Sequence, residues 1–278
     1  MRKFLLLPII LSAIAILPTS AQVFTIPANT ANVCRDYNGT SMTLPMAMRF
    51  EVISATDKTV QVGTTASPYS ALEQAWVGDL VVPSSVKYNN VWYNVTQIGT
   101  RAFDIGNGYG FKSIKLHVKK LSTIGQNAFV SGLAENTATS VDIKTDVKLT
   151  IETGAFGKNS TSGDLSVLNQ KRYLEDVFIQ SNGLHVGRGA FKGNLTLQRI
   201  DIKSTDKMYF EYDAFHQGVN IGGSFINCLP RQYDRLTQND YIRITGPVDK
   251  IGNKSFCNIV NIKEVTTVPL KWTNRSLN

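Results

Sequence analysis

A six-residue motif recurs six times along the 278-residue chain, and this recurrence constrains the fold more than any other feature. The motif has an apolar first residue, most often Gly second, Ala or Ser fifth and Phe sixth. Its copies are IGTRAF (98–103), IGQNAF (124–129), IETGAF (151–156), VGRGAF (186–191), FEYDAF (210–215) and IGNKSF (251–256). Self-similarity at this spacing indicates a repeat architecture. One such unit cannot bury its own apolar face, so the copies must stack.

Short segments with alternating apolar residues lie between the motifs and predict strands. They are SIKLHV (113–118), SVDIK (140–144), DVFIQ (176–180), RIDIK (199–203), YIRIT (241–245) and a weaker KEVTT (263–267). The second apolar residue of each of the first five lies 7 or 8 residues before the next motif, for example Leu116 before Ile124 and Ile179 before Val186. Length variation is therefore confined to the segment after each motif.

This pattern predicts a β-rich solenoid, in which each turn contributes one short strand and the motif closes the turn. Alternate strand residues point inward. The predicted inward pairs are Ile114/Leu116, Val141/Ile143, Val177/Ile179, Ile200/Ile202 and Ile242/Ile244. The motif phenylalanines are predicted to form a ladder through the stack, and Gly at the second position is expected to permit a tight backbone bend.

The strand, the turn and the "IG..AF" motif resemble the BspA-type leucine-rich repeats of secreted and surface-attached bacterial proteins, over about residues 96–267. The resemblance implies a leucine-rich-repeat-like right-handed coil of short strands with turns or short helices. It also implies an extracellular binding or adhesion scaffold, and it carries over no catalytic residue. Glu152 and Glu211 replace Gly, Phe210 replaces Ile and Ser255 replaces Ala, so we expect those copies to be distorted.

Three regions follow from these observations: a signal peptide (1–21), an N-terminal antiparallel β cap (22–95) and the repeat region with a short C-terminal cap (96–278). Arg2 and Lys3 precede an apolar run, and small residues follow at a cleavage site near Ala21. The chain is therefore expected to be secreted or displayed on the cell surface, with no membrane span after cleavage. Loss of those two cations lowers the formal charge from +8 to +6, since residues 1–21 hold no acidic side chain.

The N-terminal region reads as short strands and one hairpin, with Asn89-Asn90 as a two-residue turn. Solenoid ends need caps, and a separate functional domain is the alternative. At the other end, Trp272 either covers the last coil or belongs to an unfinished repeat.

Cys34, Cys228 and Cys257 do not make a full disulfide framework, because three is an odd number. Two interpretations stay open. Either Cys228 pairs with Cys257 and leaves Cys34 free, or all three are small buried apolar residues.

No motif predicts catalysis, a cofactor or a metal. His117, His185 and His216 fall at different positions of the repeat, without H-E-x-x-H spacing. The segment GNGYGF (106–111) lacks the ending of a phosphate-binding loop. Asp142 and Asp201 share one strand position two repeats apart, which separates them by about 10 Å, at or beyond the range for inverting glycosidases.

The candidate binding residues lie on the predicted outward strand face and in the longest insertions. The outward positions Lys115, Asp142, Phe178, Asp201 and Arg243 alternate in sign, so they do not form the basic track of a nucleic-acid protein. Phe178 either anchors a partner or is covered by a loop. The insertions are 157–173 and 216–239, and each is either a binding loop or a tolerated surface loop. The predicted partner-binding residues are Lys115, Phe178, Phe225, Arg231, Tyr233, Arg235 and Arg243.

We therefore predict a non-enzymatic binding or adhesion protein that contacts a host or matrix protein. One alternative is a surface protein associated with carbohydrate binding or glycan processing, in which Phe178, Tyr233 and acidic side chains would converge in one cleft. The other alternative is a structural envelope component.

Overall fold

The computed structural model describes residues 21–67, 69–74, 76–103, 110–129, 140–157, 174–194, 197, 199–216 and 241–256, together with the backbone of two short strands at 219–221 and 224–226. Every regular element in these ranges is a β-strand. Eight strands precede or enter the first motif: β1 Val23–Ile26, β2 Cys34–Arg35, β3 Ser41–Met42, β4 Met48–Ser54, β5 Thr59–Val62, β6 Val77–Val81, β7 Ser85–Tyr88 and β8 Val91–Ile98.

The later strands alternate between inter-motif segments and motif starts. They are β9 Gly110–His117, β10 Thr123–Ile124, β11 Ser140–Lys144, β12 Leu149–Ile151, β13 Asp176–Ser181, β14 Leu184–Val186, β15 Arg199–Ser204, β16 Met208–Phe210, β17 Val219–Ile221, β18 Ser224–Ile226, β19 Tyr241–Thr245 and β20 Val248–Ile251. The inter-motif strands predicted from the sequence are thus confirmed through Thr245, and the KEVTT segment lies outside the described residues.

Two sheets contain most of these strands. The main path of sheet A has the order β1-β4-β5-β8-β10-β12-β14-β16-β20, and β2, β3 and β7 belong to the same sheet off this path. From β5 onward, the strands of the main path are parallel. Sheet B has the order β6-β9-β11-β13-β15-β19 and is parallel throughout. Each repeat therefore contributes two strands, whereas the sequence predicted one. The strands of sheet A that enter the motifs after β8 are only two to four residues long, too short for a visible alternation.

The core lies between the rows of apolar side chains that the two sheets turn inward. All five predicted inward pairs of sheet B are buried. The motif phenylalanines form the predicted ladder, with successive ring centroids 4.9, 4.7, 4.9, 4.6 and 5.2 Å apart from Phe103 through Phe256. Burial of each ring stabilises the fold by about 1.5–3 kcal/mol.

The backbone bend of the motif occurs at its fourth residue and not at its second. The fourth residue has φ between 55° and 65° in every copy: Arg101, Asn127, Gly154, Gly189, Asp213 and Lys254. Gly occupies the second position for another reason, which is that its backbone lies close to the backbone of the preceding repeat. A Cβ on Gly125 would lie 2.6 Å from the Thr100 nitrogen. The expectation that this glycine permits a tight backbone bend is therefore wrong.

The two copies with Glu at the second position are not distorted as expected, because the Glu side chains make compensating hydrogen bonds. The Glu152 carboxylate accepts a bond from the Gln126 amide of the preceding motif at 2.9 Å. The Glu211 carboxylate does the same with the Arg188 amide at 3.0 Å. The Phe ladder stays stacked through both copies. Glu at this position thus caps the motif before it.

The N-terminal region continues sheet A and does not stand apart from it. The predicted hairpin is confirmed: β7 and β8 pair antiparallel, and Asn89 and Asn90 have φ of 47° and 62°, as a type I′ turn requires. β5 pairs parallel with β8, so strand pairing crosses the predicted boundary between residues 95 and 96. β6, which the sequence predicts to be part of the cap, is a strand of sheet B.

Candidate functional site

The outward face of sheet B brings together three of the residues predicted to bind a partner. Its middle row runs, one residue per strand and in register, through Lys115, Asp142, Phe178, Asp201 and Arg243. Phe178 thus lies two strands from Lys115 and two strands from Arg243, a separation of about 10 Å in each case. Asp142 and Asp201 are separated by the strand that carries Phe178.

Phe178 is the aromatic centre of this row. Its neighbours along the strand, Val177 and Ile179, are buried, while Phe178 is partly exposed. The alternation of a β-strand explains the difference, since the two buried residues point to the core and the aromatic ring points away from it. A partly exposed aromatic side chain on the outward face of a sheet suits contact with a partner.

The carboxylates around Phe178 lie close to basic side chains of sheet B. Arg199 binds Asp176 with two hydrogen bonds, Nε to Oδ1 at 2.5 Å and Nη2 to Oδ2. The Asp201 Oδ2 atom lies 3.7 Å from Arg243 Nη1 and 3.8 Å from Lys203 Nζ, which is ion-pair distance rather than hydrogen-bond distance. On the other side of Phe178, His117 Nε2 lies 2.8 Å from Asp142 Oδ2.

A loop of the N-terminal region reaches the same face. The Asp36 carboxylate accepts bonds from the backbone amides of Asn38 and Thr40, which fixes a tight turn that presents Tyr37. The Tyr37 hydroxyl bonds to Asp146, and Lys144 Nζ lies 4.6 Å from the centre of the Tyr37 ring. Burial and the bond to Asp146 raise the pKa of Tyr37 to about 12, so the phenol stays protonated and donating at neutral pH.

Sequence reasoning missed the contribution of this loop. Tyr37 lies 80 residues before His117 in the chain, yet their rings approach to 6.4 Å between centroids. No motif around Tyr37 indicates the contact, because it depends on how β2 and β3 pair within sheet A. The cations Arg199 and Lys203 were also missed, although their place on an alternating strand was a usable signal.

The outward row of sheet A carries a second polar cluster. His185 Nε2 lies 2.7 Å from Glu211 Oε1, and the His185 and Tyr209 rings are 6.3 Å apart. The Tyr209 hydroxyl bonds to Asp249, which raises the pKa of Tyr209. His117 and His185 therefore lie on different sheets. Among the described residues, no three His, Cys, Asp or Glu side chains are placed to hold a metal ion together.

The remaining predicted residues fall in the insertion after His216. The Phe225 backbone belongs to β18, which pairs with β17 as a hairpin, and nothing more is described of its side chain. Arg231, Tyr233 and Arg235 lie outside the described residues, as do Cys228, Cys257, Trp272, the signal peptide and most of the 157–173 insertion. The cleft in which Phe178, Tyr233 and acidic side chains would converge stays a prediction.

Cys34 is a free, fully buried thiol on β2. Its burial raises the thiol pKa to about 12. This fits both interpretations of the three cysteines. In the part of the chain that the structure describes, no helix is long and apolar enough to cross a membrane.

Comparison with known proteins places these repeats in a family. No curated protein matches the chain. Among solved structures, a leucine-rich cell surface protein from Faecalibacterium prausnitzii is similar, with 19% sequence identity and a TM-score of 0.39. The match covers 78% of this chain and 52% of that one, so this chain spans about half the length of that protein. The profile of the BspA type leucine-rich repeat region matches in six copies over residues 83–222, which is half of the chain. The chain belongs to the BspA-type leucine-rich repeat family.

Proposed function

We propose that this protein is a secreted or cell-surface binding module, without enzymatic activity, whose repeats wind into a right-handed solenoid and present sheet B to a protein partner. The observation that carries the proposal is the middle row of sheet B, where a partly exposed Phe178 is flanked by ion-paired side chains. Aromatic and arginine side chains are enriched where proteins contact each other. Family membership supports an extracellular scaffold role.

The size of the face supports a contact that extends beyond sheet B. Six strands span about 24 Å across the sheet, and five residues of strand span about 16 Å along it, or about 400 Å². A stable interface buries about 800 Å² on each partner. The Tyr37 loop adjoins the His117 and Lys144 end of the face and supplies part of the remaining area. We therefore include it in the proposed surface.

The test is a binding screen of residues 22–278 against immobilised matrix proteins and glycans, repeated with Phe178→Ala. Tyr209→Ala is the matched control, because Tyr209 is an outward aromatic residue of sheet A. The proposal expects a protein ligand whose affinity falls about tenfold or more with Phe178→Ala, about 1.4 kcal/mol, and stays within about twofold with Tyr209→Ala. Equal affinities for both variants would refute the sheet B surface. Binding to glycans alone would favour the carbohydrate alternative.

Export is tested separately, by mass spectrometry of the protein recovered outside the cells that produce it. The proposal expects a mature chain that begins at Gln22. Recovery only inside the cells, with Met1 intact, would contradict it.

A further inference from the structure

On three strands of sheet B, the acidic side chains are much less exposed to solvent than the cations they pair with. On β13, β15 and β19 the side chains of Asp176 and Asp201 are only 10% and 11% exposed. The cations that they pair with are far more accessible: Arg199 is 41% exposed, Arg243 is 42% and Lys203 is 57%. The largely buried carboxylates orient the cations, and on these three strands it is mainly the cationic side chains that reach solvent.

The three cations lie on one side of Phe178, on β15 and β19, whereas its neighbour on the other side is Asp142, which pairs with His117. Arg199 and Lys203 lie on the same side of β15, four residues apart, which is a distance of about 13 Å. Arg243 lies beside Asp201 on the neighbouring strand, and Phe178 lies beside Asp201 on the strand opposite. An extended polypeptide has the same spacing between its residues i and i+4. Two carboxylates at those positions would therefore match Arg199 and Lys203.

We propose that Arg199, Lys203 and Arg243, with Phe178, form a docking site for an acidic, extended segment of a partner protein. The inference rests on the proposed function and adds the chemistry of the partner. Arginine forms strong paired hydrogen bonds with carboxylates. The ring of Phe178 offers an apolar contact between the charged positions. Two arginines and one aromatic side chain match the composition of protein interfaces, and this favours a polypeptide over a sulfated polysaccharide as the ligand.

The experiment compares two double variants that carry the same net charge. Lys203→Gln/Arg243→Gln removes two cations from the face. Lys207→Gln/Lys250→Gln removes two exposed lysines elsewhere, of which Lys207 is a close match for Lys203: it is 64% exposed and lies 3.9 Å from Asp249. Each double variant lowers the formal charge of residues 22–278 from +6 to +4. The probes are short poly-L-glutamate, neutral poly-L-glutamine and dextran sulfate.

The proposal expects poly-L-glutamate to bind the natural chain in a salt-dependent manner and poly-L-glutamine not to bind. It expects Lys203→Gln/Arg243→Gln to weaken that binding about tenfold, about 1.4 kcal/mol, and the control to weaken it less than about twofold. Equal loss in both variants would mean attraction to bulk charge and would overturn the site. Binding of dextran sulfate alone that depends on the same cations would overturn the polypeptide assignment. If the face variant does not fold, Lys203→Gln against Lys207→Gln is the matched pair.

Failure here is distinguishable from failure of the proposed function. A protein ligand from the screen that depends on Phe178 but not on Lys203 or Arg243 would keep the sheet B surface and refute the acidic partner. A ligand that depends on none of these residues would refute both.

Discussion

Replacement of Phe156 by alanine is the most direct test of the repeat stack. Phe156 is fully buried, and its ring lies 4.7 Å from that of Phe129 and 4.9 Å from that of Phe191. Truncation of a buried Phe to Ala costs about 3–5 kcal/mol. Each stacked pair adds about 0.5–1.5 kcal/mol beyond burial. We therefore expect a loss in the upper part of that range, which is a large share of the ~5–15 kcal/mol that stabilises a typical domain.

The assay is urea unfolding followed by circular dichroism, with Phe178→Ala as the control. Phe178 is the same residue type but points outward from sheet B, so its truncation should cost about 1 kcal/mol or less. Phe256→Ala should fall between the two, because its ring is only partly buried and terminates the described ladder. If Phe156→Ala is no more destabilising than Phe178→Ala, the ladder does not stabilise the stack and the reasoning is refuted.

Three further predictions concern single positions. Asn194→Ala should destabilise the fold by about 1–3 kcal/mol in urea unfolding. The reason is that the buried Asn194 Nδ2 donates to the carbonyls of Phe156 at 3.0 Å and Phe191 at 2.8 Å. An unchanged urea midpoint would contradict this. Gly125→Ala should lower the thermal midpoint clearly, because the new Cβ meets a backbone nitrogen of the preceding motif at 2.6 Å; a midpoint equal to that of the natural chain would refute the close-approach explanation. Cys34 should lower the stability of the fold at high pH, because its folded pKa of about 12 exceeds the unfolded value near 9.0. Its contribution to stability is complete below pH 9 and is lost as the pH rises towards 12. The difference in stability between the natural chain and Cys34→Ala should therefore change over that window and not below it.

The strands of sheet B were predictable because they are five or more residues long and alternate cleanly. Val141 and Ile143 are buried while Asp142 between them is not, and this pattern is visible in the letters alone. The strands of sheet A that enter the motifs after β8 were not predictable, since they have two to four residues and a period of two cannot be recognised over that length. The membership of β6 in sheet B was hidden for a different reason, because its long-range pairing with β9 has no local signal in the sequence.

The second and fourth motif positions show where local reasoning reaches its limit. Glycine suggests conformational freedom, so the second position was assigned the bend. The positive φ is instead at the fourth, where Arg101 and Lys254 adopt it as Gly154 does. The hydrogen bonds between successive motifs hold that backbone conformation, as between the Arg101 amide and the Gln126 carbonyl at 3.0 Å. Tertiary pairing here overrides the preference of the individual residue.

The sequence by itself determined the family, the repeat count, the inward rows and the phenylalanine ladder. Each of these depends on a pattern that is periodic along the chain. The tertiary structure decided the surroundings of the outward residues. It largely buried Asp176 and Asp201 against their cations, left Arg199, Lys203 and Arg243 accessible, and brought Tyr37 from the N-terminal region to the edge of the same face. Solvent exposure and contacts between distant segments arise only when the repeats stack, and the order of the residues does not encode them locally.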